Sequence, residues 1–151
     1  MLAYIGLGSN LGDREATIRR ALELLGEVPG TRVVAVSTLR ETEPWGLEDQ
    51  PPFLNGACVI ETSLPPKVLL EELLAIEETL GRVRGGVKYG PRTIDLDLLL
   101  YADAAIDLPG LTVPHARLAE RRFALEPLVE LDPALALPDG RRVSDLLAEL
   151  Q

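Results

Sequence analysis

Two stretches rich in proline and glycine constrain this chain more than any other feature. Residues 42–52, TEPWGLEDQPP, hold three prolines and a glycine, and residues 82–93, RVRGGVKYGPRT, hold three glycines and a proline. Proline fixes φ and removes a backbone donor, while glycine weakens helices and strands. Neither stretch is expected to carry regular structure, so both read as long loops. The remaining apolar periodicity has to be arranged around them.

Leu2 to Leu7 is a short apolar run that breaks at Gly8-Ser9-Asn10-Leu11-Gly12, a strand leaving into a loop. Asp13 is the expected N-cap of a helix in which Ile18, Ala21, Leu22 and Leu25 recur at helical spacing up to Gly26. Thr31 to Glu41 alternates and is rich in Val and Thr, which predicts a second strand, and Phe53 to Thr62 predicts a third. Ser63-Leu64-Pro65-Pro66 opens a helix with proline in its first turn. Val68, Leu69, Leu73, Ile76 and Leu80 form the apolar stripe of that helix, which ends at Gly81. Ile94 to Tyr101 is the most strand-like segment of all. After it, Ala105 to Leu108 predicts a short strand, His115 to Glu130 one or two short helices, Asp139-Gly140 a turn, and Val143 to Leu150 a terminal helix.

The order β-α-β-β-α-β predicts an α+β fold with a ferredoxin-like split βαβ core. Its sheet is mainly antiparallel, with helices packed on both faces. At 151 residues, without internal repeats or a low-complexity linker, the expectation is one domain over residues 1–151. The 24 acids against 15 bases disfavour a broad nucleic-acid surface. No run approaches the ~20 apolar residues that span a bilayer. The N-terminus lacks a basic start and a cleavage site, so the expected location is cytoplasmic, with no membrane partner. The single cysteine, Cys58, excludes an internal disulfide, and the single histidine excludes a Cys/His zinc cluster. The expected state is a monomer.

The sharpest chemical feature is Ile94-Asp95-Leu96-Asp97-Leu98. Side chains alternate along a strand, so Asp95 and Asp97 share one face, about 7 Å apart at their Cα atoms. Two such carboxylates repel unless a cation sits between them. An oxygen pair of this kind suits Mg²⁺ with phosphate co-ligands, although it equally fits two acids on a solvated sheet face. Immediately upstream, Arg82, Arg84, Lys88 and Arg92 crowd the glycine-rich stretch with no acid among them. Guanidinium groups grip phosphate oxygens bidentately. A basic loop beside paired carboxylates is what phosphoryl or pyrophosphoryl transfer needs, against the alternative of a solvated loop balancing nearby glutamates.

His115 follows Thr112-Val113-Pro114 and precedes Arg117, Arg121 and Arg122. It reads either as a phosphate hydrogen-bond donor or acid, or as a partly buried structural residue. Phe53 and Phe123 stand out in a chain with 4% aromatics, and flat heterocycles bind between aromatic faces, with Asn55 able to read a ring edge. As residues alone, both phenylalanines also fit the core. Gly6-Leu7-Gly8-Ser9-Asn10-Leu11-Gly12 has the wrong spacing for a dinucleotide fingerprint, and no P-loop motif exists.

These segments together resemble the 6-hydroxymethyl-7,8-dihydropterin pyrophosphokinase family of folate biosynthesis. The resemblance spans residues 3–140. Its most specific part is Gly90-Pro91-Arg92-Thr93-Ile94-Asp95-Leu96-Asp97-Leu98, supported by Glu41 to Gly46, Gln50 to Asn55, Ile76 to Arg82 and Leu111 to His115. It implies an ATP-dependent transfer of pyrophosphate to the pterin hydroxymethyl group, releasing AMP. It also implies that Asp95 and Asp97 hold two Mg²⁺ ions and that Arg82 and Arg92 stabilise the transferring phosphates. ATP would be held by Arg84, Tyr89, Arg92, Leu98, Thr112, His115 and Arg121. The pterin would lie between Phe53 and Phe123, with Thr42, Pro44, Gly46, Asn55 and Asp95 around it. Glu77 matches a family position near the cleft. Tyr89 stands where the family commonly has tryptophan, Gly85 and Gly110 lack basic side chains seen in some members, and Ala116 lacks an aromatic. The alternative class is a non-catalytic ferredoxin-like module that binds a small molecule, which has no need for paired acids beside an arginine loop.

Overall fold

The first strand, β1 (Leu2–Ser9), has a neighbour on each side, and most of the fold follows from what it pairs with. The computed structural model describes residues 1–10, 12–42, 52–81 and 94–150. Of the loops expected at 42–52 and 82–93, residues 43–51 and 82–93 lie outside the described residues, and Thr42 ends a strand rather than opening a loop. After β1 come α1 (Arg14–Gly26), β2 (Thr31–Val36), β3 (Arg40–Thr42), β4 (Phe53–Thr62), α2 (Pro66–Thr79) and β5 (Asp95–Tyr101). A hairpin, β6 (Ile106–Leu108) and β7 (Leu111–Val113), then leads through a 3₁₀ turn (Leu118–Glu120) to α3 (Arg122–Leu131) and α4 (Val143–Glu149). The main sheet runs β2-β4-β1-β5, with β3 added on β4, and each strand pair in it is antiparallel.

Local rules explain the helix starts. Asp13 caps α1 by accepting the Ala16 amide on Oδ1 at 3.1 Å, which satisfies one of the amides that the helix leaves unpaired. Pro66 occupies the first turn of α2, where a missing N–H costs nothing. Strand alternation then sends side chains to two cores. Ala3, Ile5, Leu7, Cys58 and Ile60 face α1 and α2, where Ile18, Leu25, Leu69 and Leu73 cover them. Tyr4, Ala57 and Val59 point the other way, to Leu125 and Leu128 of α3 and Leu146 of α4. Helices therefore cover both faces of an antiparallel sheet. Among the described residues no helix is long and apolar enough to cross a membrane.

Three expectations need correction. The first strand does not stop at Leu7, because Gly8 and Ser9 continue the ladder opposite Asn55 and Leu54. Thr31 to Glu41 is not one strand but β2 and β3, interrupted at residues 37–39. The break has a physical cause. The Thr38 amide is donated to the Glu130 carboxylate on α3, and Ser37 Oγ takes the Ala57 amide that a continuous strand would have engaged with its backbone. The glycine at position 56 leaves space there, since a Cβ on it would lie 2.7 Å from Leu39 Cδ2. The third correction is β7, which was not foreseen: three residues are too few for alternation to announce a strand.

Candidate active site

The register sets out the site as rows across the sheet. One row reads Arg40 (β3), Asn55 (β4), Gly8 (β1), Asp95 (β5), and the next reads Ala57, Gly6, Asp97. Residues in register share a face, so Asp95, Asp97 and Asn55 project from the same side of the sheet, the side that α3 packs on. Two strand spacings put the Asn55 and Asp95 backbones about 10 Å apart. Between them lies β1, and both of its residues in these rows are glycine. A Cβ at position 8 would stand 2.8 Å from Asn55 Oδ1, so glycine there admits the amide. Glycine inside a strand marks close approach by another group: Gly8 makes room for the Asn55 amide, and Gly6 for the Leu99 side chain, 3.3 Å from where a Cβ would stand.

On the β4 side, Asn55 is buried and its Nδ2 donates to Thr42 Oγ1. Phe53 is half-buried beside them, in register with Thr42. Phe123, in the first turn of α3, is partly buried against the second core, and the Arg121 guanidinium carbon lies 5.6 Å from its ring centroid. That is a cation–π arrangement. Phe123 is thus neither fully exposed nor a closed core residue.

On the β5 side, a cavity of about 340 Å³ opens along the outer edge of the strand. Leu70, Leu74 and Glu77 of α2 form one wall, and Leu111, Thr112 and His115 another, with Asp97 and Leu98 at its base. Gly110 and Ala116 also line it. His115 is tied to β5, since its amide donates to the Leu99 carbonyl at 3.0 Å. Burial lowers the pKa of the His115 imidazole, opposed by the charge of Asp97 and assisted by Arg121 and Arg117. The imidazole Nδ1 accepts the Arg117 amide at 3.2 Å, so the hydrogen-bond network assigns the proton to Nε2, leaving that atom a donor.

Beneath the acids, Glu77 is 3% exposed, and its Oε2 accepts the amide of Leu96, the residue between Asp95 and Asp97. Both aspartates are themselves half-buried. Among the described residues no group of three or more His, Cys, Asp or Glu side chains forms a metal cage. Two carboxylates without further protein ligands fit a hard divalent cation that takes its other oxygens from water and phosphate, as Mg²⁺ does, and do not fit a structural metal.

The structure thus brings Asp95 and Asp97 into line with Asn55, Thr42 and Phe53, and sets Leu98, Thr112 and His115 around one cavity with Asp97. Arg121 and Phe123 meet at the start of α3. Arg82, Arg84, Tyr89, Arg92, Pro44 and Gly46 lie outside the described residues. Sequence reasoning did not name Gly6 and Gly8 as points of close approach, although glycine inside an apolar strand was the available signal. It also assigned no role to Leu70 and Leu74, which lie outside the apolar stripe read along α2.

An acid pair on an edge strand beside a cavity large enough for a small ligand defines an α+β protein with a candidate small-molecule site at the edge of its sheet. The model of the 7,8-dihydro-6-hydroxymethylpterin-pyrophosphokinase (HPPK) family matches residues 4–133. The chain belongs to that family. A Pseudomonas aeruginosa protein named 2-amino-4-hydroxy-6-hydroxymethyldihydropteridine pyrophosphokinase is 48% identical over 145 residues, covering 96% of this chain and 89% of the relative. A Bacillus subtilis protein of the same name is 51% identical over 130 residues, covering 86% of this chain and 77% of the relative. The crystal structure of wild-type Plasmodium falciparum HPPK-DHPS is similar with a TM-score of 0.74 at 15% identity. It covers 98% of this chain and 44% of that one, so the chain spans under half the length of that solved structure, and the likeness concerns the fold.

Proposed function

We propose that this protein transfers a pyrophosphoryl group from ATP to 6-hydroxymethyl-7,8-dihydropterin, as a 2-amino-4-hydroxy-6-hydroxymethyldihydropteridine pyrophosphokinase of folate biosynthesis. The hydroxymethyl oxygen attacks the β-phosphorus, the bond from that phosphorus to the α,β-bridging oxygen breaks, and AMP leaves. The alcohol proton passes to solvent. The observation that supports this reading is the row Asn55–Gly8–Asp95, which puts an amide and an acid on one face of the sheet with a glycine between them in register.

In this reading the cavity beside β5 takes the nucleotide, with Leu98 and Thr112 near its base and sugar and the His115 Nε2–H and Arg121 toward its phosphates. The pterin lies between Phe53 and Phe123, with Thr42, Asn55, Pro44, Gly46 and Asp95 at its edges. Asp95 and Asp97 would hold Mg²⁺, which we take as two ions. When bound, Mg²⁺ supplies charge neutralisation to the triphosphate oxygens. Arg82 and Arg92 act on the same charge at the transferring group, and Arg84 and Tyr89 hold ATP. A neutral alcohol can then approach a phosphorus otherwise shielded by negative oxygens. No covalent nucleophile is needed, because in-line transfer depends chiefly on positioning.

We read the chain as one domain, residues 1–151, with a ferredoxin-like split βαβ core. The strand order β2-β4-β1-β5 and the two cores sharing one sheet support that description. A monomeric, cytoplasmic enzyme acting on small molecules completes the proposal. Incubation with Mg²⁺, ATP and the pterin, followed by chromatography, should yield AMP and the pterin diphosphate in equal amounts. Binding of both ligands without AMP formation would instead favour a non-catalytic binding module.

A further inference from the structure

Glu130, near the C-terminal end of α3, reaches the break between β2 and β3. Its Oε2 accepts the Thr38 amide at 2.7 Å and the Thr38 hydroxyl at 2.9 Å, while its Oε1 accepts Arg40 Nη2 at 2.7 Å. One carboxylate thus gathers three donors from a segment 90 to 92 residues earlier in the chain. Charge-assisted bonds of this number and length make a fixed joint rather than a loose surface pair.

The two elements so joined carry residues of the pterin side. β3 holds Thr42, which accepts from Asn55, and Arg40 itself stands in register with Asn55. α3 holds Phe123 in its first turn. β3 is only three residues long and, among the described residues, pairs with β4 alone, so few ladder bonds hold it in place. We propose that Glu130 is a positioning residue for the pterin: it locks β3 to α3 and so fixes Thr42 and Asn55 relative to Phe123. This inference rests on the pterin reading given above. Glu130 does not belong to the acid pair, and the β3 segment it holds lies at the opposite edge of the sheet from β5, so its effect falls on the acceptor and not on ATP.

The test is calorimetric titration of the pterin into protein saturated with Mg²⁺ and α,β-methylene-ATP, together with steady-state kinetics. Glu130→Ala should weaken pterin binding on the order of tenfold and raise the pterin KM in proportion, with kcat and ATP affinity within about twofold of wild type. Glu130→Gln keeps one acceptor oxygen and should recover part of the loss. A purely structural role would lower the unfolding midpoint without this split between KM and kcat. Wild-type pterin affinity in folded Glu130→Ala overturns the inference and leaves the pterin reading intact. If the wild type itself binds no pterin, the reading and the inference fall together. Should Glu130→Ala not fold, Arg40→Met removes one of the three donors, and an unchanged pterin KM in that variant overturns the inference.

Discussion

Leu96 donates its amide to Glu77 Oε2 at 2.8 Å, so a buried carboxylate on α2 holds the residue between Asp95 and Asp97. β5 is an edge strand, and the outward amides of an edge need partners when buried. Glu77 meets that need and fixes the backbone from which both acids project.

Glu77→Leu should therefore destabilise the protein by about 1–3 kcal/mol, because the Leu96 amide stays buried without its acceptor. Glu77→Gln retains an acceptor oxygen and should lose less. Urea unfolding of both variants measures this, and a Leu variant as stable as wild type would mean that the bond contributes nothing.

Asp97→Ala should abolish AMP formation while leaving the fold intact. The side chain is half-buried on a strand whose core contacts come from Leu96, Leu98 and Leu100, so its removal takes nothing from either core. Turnover near the wild-type rate at saturating Mg²⁺ would remove Asp97 from the mechanism.

Phe123→Ala should weaken pterin binding by about 1–3 kcal/mol and ATP binding far less, since an aromatic face contributes area and stacking to a flat ring. Calorimetry with each ligand separates the two effects. An unchanged pterin affinity would return Phe123 to the second core, against which it also packs.

Leu125→Ala should cost about 2–5 kcal/mol of stability, because the side chain is fully buried between α3 and the sheet and its loss leaves a cavity. Chemical denaturation reads the change directly, and a loss under about 1 kcal/mol would show that the second core collapses around the gap.

Glu130 gives a pH dependence. The Thr38 amide, helped by Arg40 and the Thr38 hydroxyl and opposed by burial, holds its carboxyl below the ordinary glutamate value of 4.5. A carboxyl whose folded pKa is depressed stabilises the fold above its unfolded pKa and loses that contribution as pH falls through the folded one. The stability advantage of wild type over Glu130→Gln should be complete at neutral pH and shrink below about pH 4.5. An advantage that is equal at pH 7 and pH 3 would mean that the charge on Glu130 does not contribute.

Much of this molecule was legible in its residues. Asp13 was readable as a cap because an N-cap is a local rule, settled by a side chain and an amide three residues on. The shared face of Asp95 and Asp97 was readable because alternation is a property of any strand. The break at residues 37–39 was not, because Thr38 looks like good strand sequence and its partner, Glu130, is 92 residues away. The glycines of β1 were half legible: the sequence shows Gly8 as a strand exit, and nothing local tells that Asn55 needs the space above it.

The sequence by itself determined most of the strands and helices, which side of the long strands is apolar, and that two acids stand together beside a basic stretch. Those properties depend on dihedral preference and periodicity within a few residues. Only the tertiary structure decided that Asn55, Gly8 and Asp95 form one row, that Glu77 sits under the acids, and that α3 is tied to β3. Pairings of that kind are chosen by total burial and by hydrogen bonds between distant parts of the chain, and no short window of residues contains them.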